Sequence, residues 1–356
     1  MTDDTLKDTP LPKPGLGRRL RNFADDYLPQ GRWMSIAGVA FVIYAVVVLV
    51  LGLYWSMPPA PFDVRDKARS YTADGAEPVT GAVTTAALLG VVDTLLSKPG
   101  GFLSNDRTPP GLYLDNMPNW EYGALIQSRD LARAMREVLS RSQSQSKEDE
   151  DLAVAEPRLN FQTDSWILPA SETKYREAMR FTEAYLRRLN DPDNANAQFY
   201  ARADNLREWL TTINTRLGSL SQRLTASVAD QRVNTDLAGE QSATQATSAP
   251  SEVDVRTPWL EIDDVFYEAR GAAWALIHFL KATEIDFAEV LEDKNAGVSL
   301  RQIIRELEST QDTVWSPFIL NGTGFGLLAN HSLVMASYIS RANAAIIDLR
   351  DLLSQG

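Results

Sequence analysis

Side chains able to do chemistry are few in this chain, and most of them fall in one stretch. A zinc site needs several imidazole or thiolate ligands, but the chain has only two histidines, His278 and His331, and no cysteine. There is no HExxH pair, and the paired ExxH helices of a di-iron bundle are missing. No metal or cofactor is therefore expected. Ser171 and Lys174 stand in an S-x-x-K arrangement, in which a lysine can activate a serine, but its S-x-N and K-T-G companions are lacking. Ser171 reads more simply as a helix cap, Asn119 reads as another, and Ser299 with Gln302 as a capping box. Asp263-Asp264 and the run Glu148 to Asp151 could hold a cation loosely, and more simply form solvated helix starts and faces. His278 follows Trp274 by one helical turn, a placement that suits a hydrogen-bonded structural histidine.

What is left is Lys98 to Glu121, KPGGFLSNDRTPPGLYLDNMPNWE, where glycine and proline turns alternate with aromatic and polar residues. A loop that long and rich in both reads as a compact Ω-loop or a binding loop. Its candidate contact residues are Asn105, Asp106, Arg107, Tyr113, Asp115, Asn116, Trp120 and Glu121. One use is as a surface for a protein partner in the cell envelope, or for a second copy of the chain. The alternative is a hydrolase acting on cell-wall or lipid material through Asp106, Asp115 and Glu121, since two carboxylates at a suitable separation cleave glycosides. With no convincing catalytic set, the interaction reading comes first and no catalytic residue is assigned.

Two parts of this stretch, PGGFLSND at 99–106 and LDNMPNWE at 114–121, resemble the signature segments of an uncharacterised family of proteobacterial single-span inner-membrane proteins, a domain-of-unknown-function family. The resemblance extends to chain length, span position and helical remainder. It implies location and architecture, and brings no activity or catalytic residue with it.

The elements that must position this loop begin with an apolar run from Met34 to Trp55, free of charge and proline. About 20 residues of helix cross the ~30 Å hydrocarbon core with every backbone group satisfied internally, so residues 34–55 are expected to lie in membrane lipid. The run is longer than a signal-peptide core and lacks an A-x-A-like cleavage site. Lys7, Lys13, Arg18, Arg19, Arg21 and Arg32 precede it, against Arg65, Lys67 and Arg69 soon after. That bias places the N-terminus in the cytoplasm and the rest in the periplasm, on the bacterial inner membrane. Residues 16–29 read as a short amphipathic helix on the cytoplasmic leaflet or as a basic topology signal. A second apolar stretch, 79–96, contains Asp93 and four threonines and reads as a buried helix rather than a second span.

The remainder has helical periodicity and little strand alternation, so the fold expected is all-α: one transmembrane helix followed by an elongated antiparallel bundle with coiled-coil-like seams. One seam runs from Phe199 through Leu206, Leu210, Ile213, Leu217, Leu220 and Leu224. A second runs from Ile262 through Phe266, Ala273, Leu276, Leu280 and Phe287. A third uses His331, Met335, Tyr338, Ala342, Ala345, Leu349 and Leu352. The divisions are a tail (1–33), the transmembrane helix (34–57), a helical periplasmic region (58–230), a polar linker or loop (231–256) and a second helical region (257–356) packing on the first. A formal charge of −12, with the acidic excess after the span, disfavours a nucleic-acid partner. The tail is too short to fold as a signalling domain, which disfavours a sensing receptor.

Overall fold

The computed structural model describes residues 32–72, 76–143, 145–191, 196–228, 230–233, 252–316, 318–322 and 327–355. The amphipathic helix expected at 16–29 lies outside them. The chain forms two compact units, residues 1–53 and 54–356. The described part of the first is residues 32–53 of helix α1 (Arg32–Trp55). Within it Met34–Trp55 has a mean hydropathy of 2.9, and among the described residues this is the one helix long and apolar enough to cross a membrane. Ile36, Phe41, Ile43 and Leu49 are exposed on it, a surface that lipid solvates better than water.

The second unit is an all-α bundle. Its helices are α2 (Val64–Arg69), α3 (Ala82–Ser97), α4 (Asn116–Ala134), α5 (Leu152–Leu159), α6 (Ser171–Leu189), α7 (Ala203–Thr225), α8 (Ile262–Asp286), α9 (Ala288–Asp293), α10 (Gly297–Ser309) and α11 (His331–Ser354). Between α7 and α8, strands β1 (Asp230–Val233) and β2 (Glu252–Val255) pair antiparallel, Asp230 opposite Val255. This ribbon joins the two ends of the 231–256 segment, a pairing its polar composition did not announce.

Helix α8 is the axis of the unit. Every residue from Arg270 to Leu280 is buried, as a helix packed on all faces requires. Its most extensive partner is α4, and α3, α10, α7 and α11 also pack on it. Contacts along paired helices run in opposite directions, so these pairs are antiparallel. Ser221 meets Ser340 while Gly218 faces Asn343, between α7 and α11. Lys281 pairs with Glu308 and Glu284 with Arg301, between α8 and α10. Arg158 pairs with Glu177 and Asp151 with Arg188, between α5 and α6.

Helix α3 is buried from Ala82 to Val92. Its first turn has no side-chain cap of its own, and Asp286 at the end of α8 accepts from the Thr84 N–H at 2.6 Å. Two of the three expected seams are buried as drawn: Leu206, Leu210, Ile213, Leu217, Leu220 and Leu224 on α7, and Phe266, Ala273, Leu276 and Leu280 on α8. On α11 the stripe is rotated. Ile339, Ile346 and Leu353 are buried where Tyr338, Ala345 and Leu352 were expected. A straight helix drifts ~20° per heptad from a 3.5 repeat, and α11 must serve α10 as well as α7, so its buried stripe widens. Three cap readings also change. Helix α4 starts at Asn116 with Asp115, not Asn119, as cap. Helix α10 starts at Gly297, which puts Ser299 inside its first turn. Ser171 donates its hydroxyl to the Gln162 carbonyl at 2.8 Å instead of capping α6.

Candidate functional site

The 98–121 stretch is ordered from within by one buried ion pair. At the end of α3 the chain reverses through Gly100 and Gly101, both at positive φ (86° and 71°), a conformation that glycine adopts without steric cost. This reversal brings Lys98 Nζ to 2.6 Å from the Gly101 carbonyl and 2.6 Å from Glu121 Oε1, with neither Lys98 nor Glu121 side chain exposed. Glu121 Oε1 also accepts from the Leu103 N–H at 2.8 Å. Its Oε2 accepts from the Ser104 N–H at 2.9 Å and the Ser104 hydroxyl at 2.6 Å. Both carboxylate oxygens are thus spent on holding residues 98–104. Burial pushes the Glu121 carboxyl upward, opposed by Lys98 and these hydrogen bonds.

A second set of contacts ties this loop to residues 164–172, ahead of and into α6. Asn105 Nδ2 donates to the Ser165 carbonyl and to Glu172 Oε2, both at 2.8 Å. Arg107 Nη2 donates to the Asp164 carbonyl at 3.2 Å. Between the two loops stands Asp106, whose carboxyl is raised by burial and by the nearby charge of Glu172. Asp115 belongs to a different neighbourhood. Its side chain accepts from the Asn116 N–H at 2.9 Å, and its charge helps raise Asp263 and Asp264. Asp264 reaches about 6, first through burial and then through Asp263 and Asp115, while accepting from Asn119 Nδ2 at 2.6 Å.

The eight residues singled out from the sequence therefore divide. Asn105, Trp120 and Glu121 are enclosed, so they support the loop and do not face a partner. Trp120 lies in the core with its ring 5.1 Å from that of Trp274. Asp106, Arg107, Tyr113, Asp115 and Asn116 keep exposed surface, with Tyr113 at 72 %. As an acid/base set the carboxylates do not converge. Glu121 is sealed and saturated, while Asp106 and Asp115 answer to different charges.

Sequence reasoning missed the loop's other half. Trp166, Ile167 and Leu168 are exposed, Leu168 at 91 % and at φ 56°. The signal was available: WILP is an apolar run in a turn-rich segment just before a helix, too short for a core element. Other candidate groups are accounted for structurally. Lys174 binds Glu177, not Ser171. Asp149 and Asp151 both bind Arg188. Among the described residues no group of three His, Cys, Asp or Glu is placed to hold a metal ion. His278 is buried, and its Nε2 accepts from the Phe62 N–H at 3.1 Å. Its Nδ1 therefore carries the proton, donated to the Trp274 carbonyl at 2.7 Å.

An α-helical bundle that follows a helix of membrane-spanning length, with a loop ordered by a buried Lys–Glu contact, defines the architectural class. Over residues 28–356 the chain matches the family described as an uncharacterized protein conserved in bacteria (DUF2333), and it belongs to that family. No curated protein and no solved structure matches it.

Proposed function

We propose that the chain is an anchored interaction module. Helix α1 holds it in the bacterial inner membrane with the N-terminus in the cytoplasm. Residues 58–356 stand in the periplasm and bind another envelope protein through the paired loops 98–121 and 164–169. The observation that carries this reading is the separation of roles in those loops. The polar groups Lys98, Glu121, Ser104 and the amide nitrogen of Asn105 are consumed internally, while Leu112, Tyr113, Trp166, Ile167 and Leu168 are left exposed. Apolar and aromatic side chains held out on a rigid frame are the usual anchors of a protein interface. A bulky residue at positive φ is uncommon outside functional segments, which supports the same assignment for Leu168. The basic residues before the span support the orientation.

Photo-crosslinking in intact cells from Tyr113 and Trp166 tests the reading. Adducts to a second, different polypeptide are expected from both sites, and not from a control position such as Arg207 on α7. Self-adducts alone, or none, would count against a hetero-partner.

A further inference from the structure

The described residues contain one buried lysine and one buried arginine, Lys98 and Arg270. Lys98 is neutralised by Glu121. Arg270, only 6 % exposed, has no such partner: among the described residues no carboxylate lies within ion-pair distance of it. Of the five N–H donors of a guanidinium, one nitrogen is used, Nη2 to the Gln311 carbonyl at 2.8 Å, and Nε is buried without a partner. A buried charge left unpaired is strongly unfavourable. Carboxylates are plentiful in a chain with 47 acidic residues, so a counter-ion from within the chain would be easy to supply.

Arg270 lines a cavity of about 330 Å³ between α8, the 309–316 segment and the start of α11, within the range of small-molecule sites. Its walls are mainly apolar and aromatic: Phe266 and Met335 are buried, and Tyr338 is half-buried. Trp315 stands at the rim, 92 % exposed. His331 also lines it. Because His331 Nδ1 accepts from the Leu320 N–H at 2.9 Å, the ring proton sits on Nε2, a second donor. Asp312 is an exposed carboxylate at the same mouth, and its charge reaches Arg270 without forming an ion pair.

We infer that this cavity binds a small monocarboxylate with an aromatic or branched apolar body, its carboxylate on Arg270 and its apolar part among Phe266, Met335 and Tyr338. One cation, one neutral donor and an acidic group at the rim match a single negative charge rather than a dianion. The site is distinct from the paired loops and stands whether or not those loops bind a protein.

Titration calorimetry of the full chain in phosphatidylcholine nanodiscs, with 3-phenylpropanoate and its uncharged amide as probes, tests the inference. The acid is expected to bind about tenfold more tightly than the amide, the scale of a charge-assisted hydrogen bond. Arg270→Gln should abolish that preference. Because a core variant can misfold, two rim variants give an independent reading on exposed positions. Asp312→Asn should tighten the acid by removing a like charge, and Trp315→Ala should weaken both probes. Equal binding of acid and amide, no saturation by the acid, a preference kept in a folded Arg270→Gln protein, or an Asp312→Asn that does not favour the acid would overturn it.

Discussion

Lys98 and Glu121 meet across 2.6 Å with neither side chain exposed, and what that contact contributes depends on how it is broken. Removing one partner leaves an uncompensated buried charge, which costs roughly 3–5 kcal/mol, whereas apolar replacement of both costs less. Glu121→Leu is therefore expected to lower the unfolding free energy of the full chain in detergent by about 3 kcal/mol, and Lys98→Met with Glu121→Leu by less. Denaturant titration reads both. His278 makes a second prediction. Burial lowers its pKa from the ordinary 6.5 to about 4, so on acidification the unfolded chain takes up the proton first. The associated stability is whole above pH 6.5 and is lost as pH falls from 6.5 to 4, reaching roughly 3 kcal/mol. Unfolding at pH 7 and pH 5 should show about 2 kcal/mol of that loss, and His278→Gln should reduce the difference. Of these residues the sequence revealed His278, through its spacing from Trp274, but not the burial of Trp120 and Glu121. Counting them in the 98–121 loop hides their phase. In α4 they share one face with Ala124, Leu125 and Ser128.

Between elements, the closest approach is the crossing of α4 and α8. A Cβ on Gly271 would lie 1.9 Å from the Trp120 carbonyl oxygen, and one on Gly123 would lie 2.0 Å from that of Glu268. Both obstacles are backbone, so the helices must separate to admit a methyl group. Gly271→Ala is expected to destabilise by about 3 kcal/mol, the upper part of the overpacking range, read as a lowered thermal midpoint. The midpoint should rise instead for Asp264→Asn at pH 7. The Asp264 carboxyl, raised to about 6, opposes folding once it ionises, and the amide oxygen can still accept from Asn119. That gain should vanish near pH 4, where aspartate carries its proton in the fold. The bundle itself was legible because α7 keeps strict apolar periodicity and the middle of α8 is apolar almost throughout. The ribbon β1–β2 was not, since four-residue pairings leave no periodic signal, and the exposed 166–168 tip showed only as an apolar run too short for a core element.

At the scale of the molecule, α1 is long and apolar enough to cross a membrane and keeps its apolar side chains exposed, whereas the bundle turns most of its apolar residues inward. The proposed role depends on which aqueous side holds the bundle. Because the chain contains no cysteine, single cysteines report position without background. Tyr113→Cys and Lys7→Cys, treated separately with a membrane-impermeant maleimide in cells whose outer membrane alone is permeabilised, give the most direct test. Labelling at 113 before lysis, with labelling at 7 only after it, is the expected result. The reverse pattern would place the paired loops in the cytoplasm and contradict the envelope-facing role.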